Sequence, residues 1–429
     1  MTYSSLKESE VRNSFKSSGS VAGKRDKWIK STSLVLLAAL GPSVVSGIRL
    51  EHLIIYPLAL GFILWRWDRK VIPNASFIVK FILLYGIIWS IFSTSQFYPL
   101  EKILSSLDNS LLVVATLVAA EGLVRYRENW KAFAILIIFC GFMSILEVVN
   151  INSPVFNFFL GASAKDPMSV WQLSATMGRY NGIFFQPIEA GVAYSCFLVY
   201  WVSLLKFKRI NPIYMSIILL FIFAGGLLSV SKVFIYSAIP ILLYTFIFLA
   251  NNKIRLILIA IALFISIILV NLSNIWDGLD YFLRLFSFKN VSIVDLLSAG
   301  RYGSDSSIQS DLQDIISNYP MTGYGLKGID AADSFFLYAL AQGGWPLLVL
   351  HSTLLAIVIF NGIKQILFGN HFPMLLAFVA FAGALGGPVF FLNRSSTIFW
   401  LLWVIFNYMS RNRNSRLRVG VENDITSKV

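Results

Sequence analysis

Residues 298–346 read SAGRYGSDSSIQSDLQDIISNYPMTGYGLKGIDAADSFFLYALAQGGWP and belong to the longest polar interruption in an otherwise apolar chain. The centre of this stretch predicts a short amphipathic helix at 306–317, because its apolar residues recur at helical spacing. Those residues are Ile308, Leu312, Ile315 and Ile316. Arg301 precedes the helix and Asp333 precedes the next apolar run. A polar loop of this length with a charge at each end indicates more than a connector.

The composition of the chain indicates a polytopic membrane protein. Of its 429 residues, 57% are hydrophobic and only 13% are charged, whereas soluble domains carry about 25% charged residues. The mean hydropathy is +0.71. Both cysteines, Cys140 and Cys196, lie inside apolar runs, so no disulfide framework is predicted. The fold class is therefore expected to be all-α, a transmembrane helical bundle.

Apolar runs predict twelve spans, each close to the length of about 20 residues that crosses a bilayer. The predicted spans are 31–48, 50–67, 74–94, 107–124, 131–150, 187–205, 212–230, 232–250, 254–272, 334–361, 373–392 and 395–410. The first two are separated only by Ile48-Arg49. The membrane domain is thus expected at 31–410, between a polar tail at 1–30 and a basic tail at 411–429.

The distribution of basic residues predicts the orientation. Lys and Arg next to the spans concentrate on the side of the N-terminus, so both termini are expected to be cytoplasmic. The net charge of +13 is mainly this topology signal, and nucleic acid is not expected as a partner. Two long outward loops follow, at about 151–186 and 273–333. The three histidines show no metal-ligand spacing.

Each outward loop contains a Gly-Arg-Tyr triplet, at 178–180 and at 300–302. A guanidinium held at a membrane face is planar, permanently charged and suited to bidentate binding of phosphate oxygens. Arg179 and Arg301 are therefore candidate ligands of a diphosphate. The alternative is that each arginine extends to lipid headgroups at the interface. The repeated context favours the diphosphate hypothesis.

Two motifs resemble a known family. The first, Arg-x-x-Gly-x-Phe-x-x-Pro before a span, occurs as Arg179, Gly182, Phe184 and Pro187. The second runs from a Gly-Arg pair through an amphipathic helix to glycine-rich turns and the next span. It occurs as Gly300-Arg301, helix 306–317, Asn318, Pro320, Gly323, Gly325, Asp333-Ser334 and Gly343-Gly344. This pattern resembles the O-antigen ligase / Wzy-type polysaccharide polymerase superfamily of bacterial inner-membrane glycosyltransferases.

The chain departs from the ligase pattern at two places. Ligases of this family carry His-Asn where this sequence has Asp333-Ser334, and the outward loops contain no histidine. Tyr319 also separates Asn318 from Pro320, which are adjacent in the family. The missing histidine favours the polymerase branch, and a ligase with Asp in place of His stays open.

The resemblance implies transfer of a glycan from a polyprenyl diphosphate carrier to a sugar hydroxyl, with Arg179 and Arg301 stabilising the departing diphosphate. Asp333 is the first candidate for the base and Glu189 the second. Each has a structural alternative: Asp333 can cap the helix that follows, and Glu189 can be favoured by a helix N-terminus alone. Sugar-contacting candidates are Tyr180, Tyr302 and Tyr324, although aromatic residues are also expected at membrane interfaces.

The expected partners are the lipid-linked oligosaccharide, the bilayer, and chain-length regulator and flippase proteins. No cofactor is expected, and a divalent metal is left open by the loop carboxylates Asp295, Asp305 and Asp330. Four charged residues near span ends are interpreted as paired or interfacial; they are Lys80, Glu121, Glu147 and Lys232. The alternative function is a flippase, but no internal repeat of the transporter kind is evident.

Overall fold

The computed structural model describes residues 32–45, 48–65, 74–93, 100–124, 129–207, 211–249, 307–326 and 334–426, with Arg255 and Ile259. Within these residues the chain forms fourteen α-helices and one two-stranded hairpin, which confirms the all-α class. The predicted span 254–272, apart from Arg255 and Ile259, and most of the loop 273–333 lie outside the described residues.

The helices divide into two groups at the gap after residue 249. The first group comprises α1 (Ser33–Ala39), α2 (Leu50–Trp65), α3 (Asn74–Ser93), α4 (Leu100–Leu123), α5 (Trp130–Val149), α6 (Pro154–Leu160), α7 (Val170–Thr176), α8 (Pro187–Phe207), α9 (Pro212–Leu228) and α10 (Lys232–Tyr244). The second comprises α11 (Ser307–Asn318), α12 (Phe335–Leu367), α13 (Phe372–Gly386) and α14 (Asn393–Thr426). A 3₁₀ turn at Gly161–Ala164 follows α6, and a π-helical turn at Thr245–Leu249 follows α10.

Within the described part of the chain, five helical segments are long and apolar enough to cross a membrane, which supports a membrane protein. They are Ser76–Ser93, Trp130–Val149, Pro187–Lys206, Lys232–Leu249 and Phe335–Leu367. Among them, α8 is the centre of the bundle, because 89% of its span is buried inside the protein. Helices approach closely where small residues face large ones: Gly225 contacts Tyr194, and Gly226 contacts Phe234.

The predicted first span, 31–48, is wrong as a single helix. Helix α1 contains only 7 residues, or about 10 Å at 1.5 Å per residue, against about 30 Å of hydrocarbon. Gly41-Pro42 ends it, and the chain then forms an antiparallel hairpin of β1 (Ser43–Val45) and β2 (Ile48–Arg49). A proline and two short strands inside an apolar run leave no trace in hydropathy, which explains the error.

Helix α12, predicted as one span at 334–361, is sharply bent. Gly343 and Gly344 have non-helical dihedral angles, and Gly344 has a φ of 64°. Phe335 and His351 are sixteen residues apart, or about 24 Å along a straight helix. Their ring centroids are nevertheless only 5.5 Å apart, so the chain folds back at the two glycines. The first segment, Phe335–Gln342, is therefore a short helix packed beside the longer part of α12.

The predicted span 373–392 is helical only as far as Gly386. The chain then makes tight turns, with Val389 N bonded to Gly387 O at 2.8 Å and Phe391 N bonded to Pro388 O at 2.8 Å. Val389 and Phe390 are fully buried in these turns. Irregular backbone of this kind is tolerated in a membrane domain only where protein or a polar cavity surrounds it.

Helix α11 covers nearly the predicted residues 306–317, and it packs on the first segment of α12. Ile315 is fully buried against Leu337, Leu340 and Ala341. The turns after α11 bond to the bend in α12. Tyr324 N donates to Ala341 O at 2.7 Å, and Trp345 N donates to Pro320 O at 2.9 Å. The bend thus frees backbone groups that the loop satisfies.

We expect Gly344→Ala to detach this loop. An added methyl group would overlap the backbone of Pro320 and Met321, and the dihedral angles of Gly344 are accessible almost only to glycine. The strain amounts to about 1–3 kcal/mol before any overlap is counted. Limited proteolysis between residues 307 and 326 measures the effect, and cleavage should become faster.

The matched control is Gly61→Ala in α2. No heavy atom lies within 4 Å of the added methyl group, so this change should preserve or slightly improve stability. Unchanged proteolysis of Gly344→Ala would contradict the account of the bend.

Candidate functional site

A buried arginine connects three distant segments at one end of the bundle. Arg394, at the start of α14, is only 3% exposed. Its guanidinium donates to Ile183 O at 2.6 Å, to Phe159 O at 2.7 Å and to Gly41 O at 3.0 Å. These three backbone carbonyl oxygens therefore accept hydrogen bonds from a charged donor. No sequence signal indicated this role, because the position of Arg394 beside an apolar run is also typical of an interfacial cation.

Glu189 completes the same contact region from the first turn of α8. One carboxylate oxygen accepts from Phe185 N at 2.8 Å and the other from Arg394 N at 2.9 Å. The residue is 1% exposed. Because both oxygens already bind backbone N–H groups, these contacts favour the structural role of Glu189 over its expected role as a second base.

The loop that carries Arg179 is fixed by contacts from three helices. Its glycines, Gly178 and Gly182, adopt φ angles of 69° and 65°, which side chains with a Cβ rarely reach. Tyr180 N donates to Leu228 O at 2.8 Å, at the end of α9. Trp171 Nε1, from α7, donates to Gly182 O at 3.2 Å. The backbone on the C-terminal side of Arg179 is therefore rigidly placed.

Glu147 also binds the backbone of this loop. The carboxylate lies near the end of α5, is 1% exposed, and accepts from Gly182 N at 2.5 Å. The second oxygen of this carboxylate has no hydrogen-bond partner among the described residues, and neither has the side-chain amide of Asn181, which is fully buried. Buried polar groups normally find a partner, so this spot is suited to water or a polar ligand. The sequence indicated only that Glu147 was near a span end.

Lys232 is a second cation next to the Arg179 loop. It begins α10, four residues after Leu228, whose carbonyl binds Tyr180 N. Between them, Val230 has a φ of 46°, a strained value for a β-branched residue. Both Arg179 and Lys232 are half-buried. Their common location comes from the contact between the loop and the α9–α10 turn, which sequence spacing cannot reveal.

Arg301, Tyr302 and Asp333 lie outside the described residues. The neighbouring Ser334 is informative, because its hydroxyl accepts from Phe336 N at 3.2 Å and from Leu337 N at 3.5 Å. The N-cap of α12 is thus Ser334 and not Asp333, so the helix-cap alternative for Asp333 is wrong. Ser334 is fully buried and lies at the N-terminal end of the short first segment of α12.

Tyr324, a predicted sugar contact, takes part in the loop structure. Its hydroxyl donates to Asp314 Oδ2 at 2.6 Å, and Asn318 Nδ2 donates to Asp314 Oδ1 at 2.6 Å. The hydrogen bond from Tyr324, and to a smaller extent the one from Asn318, lowers the pKa of Asp314 below its ordinary value. Partial burial and the bond to Asp314 raise the pKa of Tyr324 above its ordinary value. The ring of Tyr324 and the acceptor side of its hydroxyl oxygen remain for contact with a sugar.

At the other end of the bundle, Lys80 Nζ lies 2.7 Å from Glu121 Oε2, which confirms that this lysine is paired. Ser76 also bonds to Glu121. No group of three or more His, Cys, Asp or Glu residues in the described ranges could hold a metal ion. The open carboxylates Asp295, Asp305 and Asp330 lie outside those ranges.

Comparison with known proteins gives no match: no family model, no curated protein and no solved structure is similar to this chain. The arrangement of the described residues must therefore be interpreted from its chemistry.

We expect Arg394→Lys to destabilise the protein, because a compact ammonium group cannot reproduce the spread of guanidinium donors across three carbonyls. Each buried carbonyl left without a donor costs about 1–3 kcal/mol. Thermal unfolding of the purified protein in detergent should show a lower midpoint. Lys131→Ala, which removes an exposed cation, serves as the control and should leave the midpoint unchanged. A wild-type midpoint for Arg394→Lys would contradict this role.

The Tyr324–Asp314 pair should show a defined pH dependence. Because the folded-state pKa of Tyr324 is raised, its contribution to stability is complete below the unfolded pKa of about 10 and is lost as the pH rises through the folded value. In NMR spectra of protein with ¹³C-labelled tyrosine, Tyr324 should remain a phenol at pH 10. Asp314→Asn should lower its titration midpoint, and an unchanged midpoint would show that the pair does not form.

Proposed function

We propose that this protein polymerises polyprenyl-diphosphate-linked oligosaccharide repeat units at the outward face of the bacterial inner membrane. The lipid-linked donor is already activated, so the proposed reaction uses no nucleotide. The distribution of Lys and Arg supports cytoplasmic termini and outward loops at 151–186 and 273–333. The site would lie at the end of the bundle where most of the non-helical backbone segments are found.

The observation that carries the proposal is the fixed loop around Arg179. Its backbone is tied to Leu228, Glu147 and Trp171, and Lys232 lies on the adjoining turn. Two cations at the end of a membrane bundle, above buried polar groups without a described partner, suit a diphosphate ester. Preorganised donors stabilise a developing charge without reorganising at the moment of reaction.

The proposed step transfers a glycosyl group. The oxygen of an acceptor hydroxyl attacks the anomeric carbon, and the bond from that carbon to the diphosphate oxygen breaks. The polyprenyl diphosphate leaves with the electron pair, and Arg179 with Arg301 stabilises its charge. Asp333 accepts the hydroxyl proton. The assignment of the cap to Ser334 supports this role, because the helix does not require Asp333 as its cap.

Lys232 is a third diphosphate ligand in this proposal. It would add the compact charge of an ammonium group to the planar guanidinium of Arg179. Glu147 acts indirectly, by holding the loop at Gly182. Glu189 and Arg394 stabilise the surrounding backbone and take no part in the reaction.

A flippase is the alternative, and the position of the broken helix favours the enzyme. Transporters place discontinuous helices and their binding residues near mid-membrane. Here the bend of α12 contacts the loop after α11, and Trp89 Nε1, near the end of α3, donates to Gly343 O at 2.9 Å. The irregular segments therefore gather toward one end of the bundle.

We expect Arg179→Ala to reduce polymer formation at least tenfold, since a charge-assisted hydrogen bond to the leaving group contributes about 1.5–3 kcal/mol. Arg179→Lys should recover little of it, because the bidentate geometry is lost. Gel analysis of surface polysaccharide in a deletion strain carrying each variant measures the effect. The control is Lys165→Ala, an exposed cation in the same loop, which should restore a normal ladder. A full ladder from Arg179→Ala would disprove the site.

The deletion strain itself discriminates the functions. Single repeat units on the normal acceptor, with no ladder, support a polymerase. Complete polymer retained on the lipid carrier would indicate a ligase. Lipid-linked units that accumulate on the cytoplasmic side would indicate a flippase and overturn the catalytic assignments.

A further inference from the structure

A second polar cluster lies between the starts of α2 and α4. The carboxylate of Asp108 accepts from the Tyr56 hydroxyl at 2.6 Å through Oδ1, and Oδ2 lies 2.9 Å from His52 Nε2. The rings of His52 and Tyr56 stack, with centroids 6.1 Å apart and planes inclined by 14°. The Tyr56 hydroxyl thus orients the carboxylate of Asp108 on α4, and the His52 ring lies beside that carboxylate.

The hydrogen bonds of His52 exclude the obvious catalytic interpretation. Arg49 N donates to His52 Nδ1 at 3.0 Å, so Nδ1 carries no proton and the ring proton is on Nε2, which lies 2.9 Å from Asp108 Oδ2. A general base of the His–Asp type needs one ring nitrogen that is free to accept a proton. His52 has none, so this cluster is built for binding and not for proton transfer.

Asp108 remains open to a ligand. Its side chain is 34% exposed, although two groups hold it, and each carboxylate oxygen has a second lone pair. It belongs to the polar first part of α4, LEKILSSLDNS at 100–110, which precedes the apolar run from Leu111. This position is typical of an aqueous membrane boundary and not of the hydrocarbon interior.

The cluster is electrostatically suited to a neutral ligand that donates hydrogen bonds. Arg49 Nη2 lies 2.5 Å from Glu51 Oε1, so these two charges compensate each other. Asp108 therefore retains a negative charge, flanked by the flat stacked rings of His52 and Tyr56. A carboxylate beside a flat aromatic surface fits a sugar ring, whose hydroxyl groups donate and whose C–H face packs on an aromatic ring.

The cluster lies at the same end of the bundle as the Arg179 loop but is separate from it. The hairpin before α2 connects the two, because Gly41 O binds Arg394 and Leu50 N donates to Pro42 O at 2.9 Å. Arg394 in turn binds Ile183 in the loop that carries Arg179. No described atom of the cluster bonds to that loop directly.

We propose that Asp108, with Tyr56 and His52, forms a sugar-binding subsite for the glycan that the enzyme elongates. This inference rests on the proposed function. The subsite binds hydroxyl groups of the glycan, whereas Arg179 and Lys232 bind the diphosphate.

Asp108→Asn tests the subsite, because the amide preserves the shape and an acceptor for Tyr56 but removes the charge. Two probes are used with full-length protein in nanodiscs: oligosaccharides released by mild acid from the lipid-linked fraction of the producing strain, and undecaprenyl diphosphate. We expect Asp108→Asn to raise the Kd for the oligosaccharides about tenfold and to leave the Kd for undecaprenyl diphosphate unchanged. Arg179→Ala should show the opposite pattern.

Glu121→Gln is the matched control, since it removes the same charge from a polar contact at the other end of the bundle. It should change neither Kd. If the cluster only tethers α2 to α4, Asp108→Asn will lower the unfolding midpoint and bind the oligosaccharides like wild type, which overturns the inference. Wild type that binds the diphosphate but not the oligosaccharides also overturns it. Asp108-dependent binding without chain elongation would instead refute the proposed function alone.

Discussion

The structure depends on one constraint: backbone N–H and C=O groups that leave a helix inside a membrane bundle must find partners within the protein. Arg394 meets this constraint most directly, with one guanidinium for the carbonyls of Gly41, Phe159 and Ile183. The turn before the hairpin, the segment 151–186 and the start of α14 are held together through it. A buried charge is costly to desolvate, and here three carbonyl dipoles and the nearby carboxylate of Glu189 compensate it.

The same constraint explains the glycines. At Gly344 the chain reverses, and the freed groups of Ala341 and Trp345 bond to the loop after α11. At Gly182 the backbone turns so that its N–H reaches Glu147 and its carbonyl reaches Trp171. Each glycine allows a close approach between two segments, and each approach satisfies a polar group. The loops are thus part of the bundle and not appendages to it.

Occupied hydrogen-bonding atoms separate structural groups from candidate functional ones. Glu189 has both oxygens on backbone N–H groups, so it holds its neighbours in place. His52 Nδ1 accepts from Arg49 N, so this ring can pack against a ligand but has no nitrogen free to accept a proton. The side-chain amide of Asn181 and one oxygen of Glu147, by contrast, have no hydrogen-bond partner among the described residues, and Asp108 is partly exposed. The charge and polarity of these residues alone would not have separated the structural groups from the candidate functional ones.

The sequence by itself determined the all-α membrane class, most helix positions, the helix near 306–317 and the presence of arginines in the polar segments between helices, because these follow from hydropathy, helical period and charge. The tertiary structure decided the hairpin after α1, the reversal at Gly343-Gly344, the role of Arg394 and the approach of Lys232 to the Arg179 loop. It also decided that Ser334, and not Asp333, caps α12. The hairpin and the Ser334 cap are local and lie in apolar runs, where hydropathy does not distinguish them from a continuous helix. The other features arise from hydrogen bonds between segments tens to hundreds of residues apart, and no local pattern of residues encodes such partners.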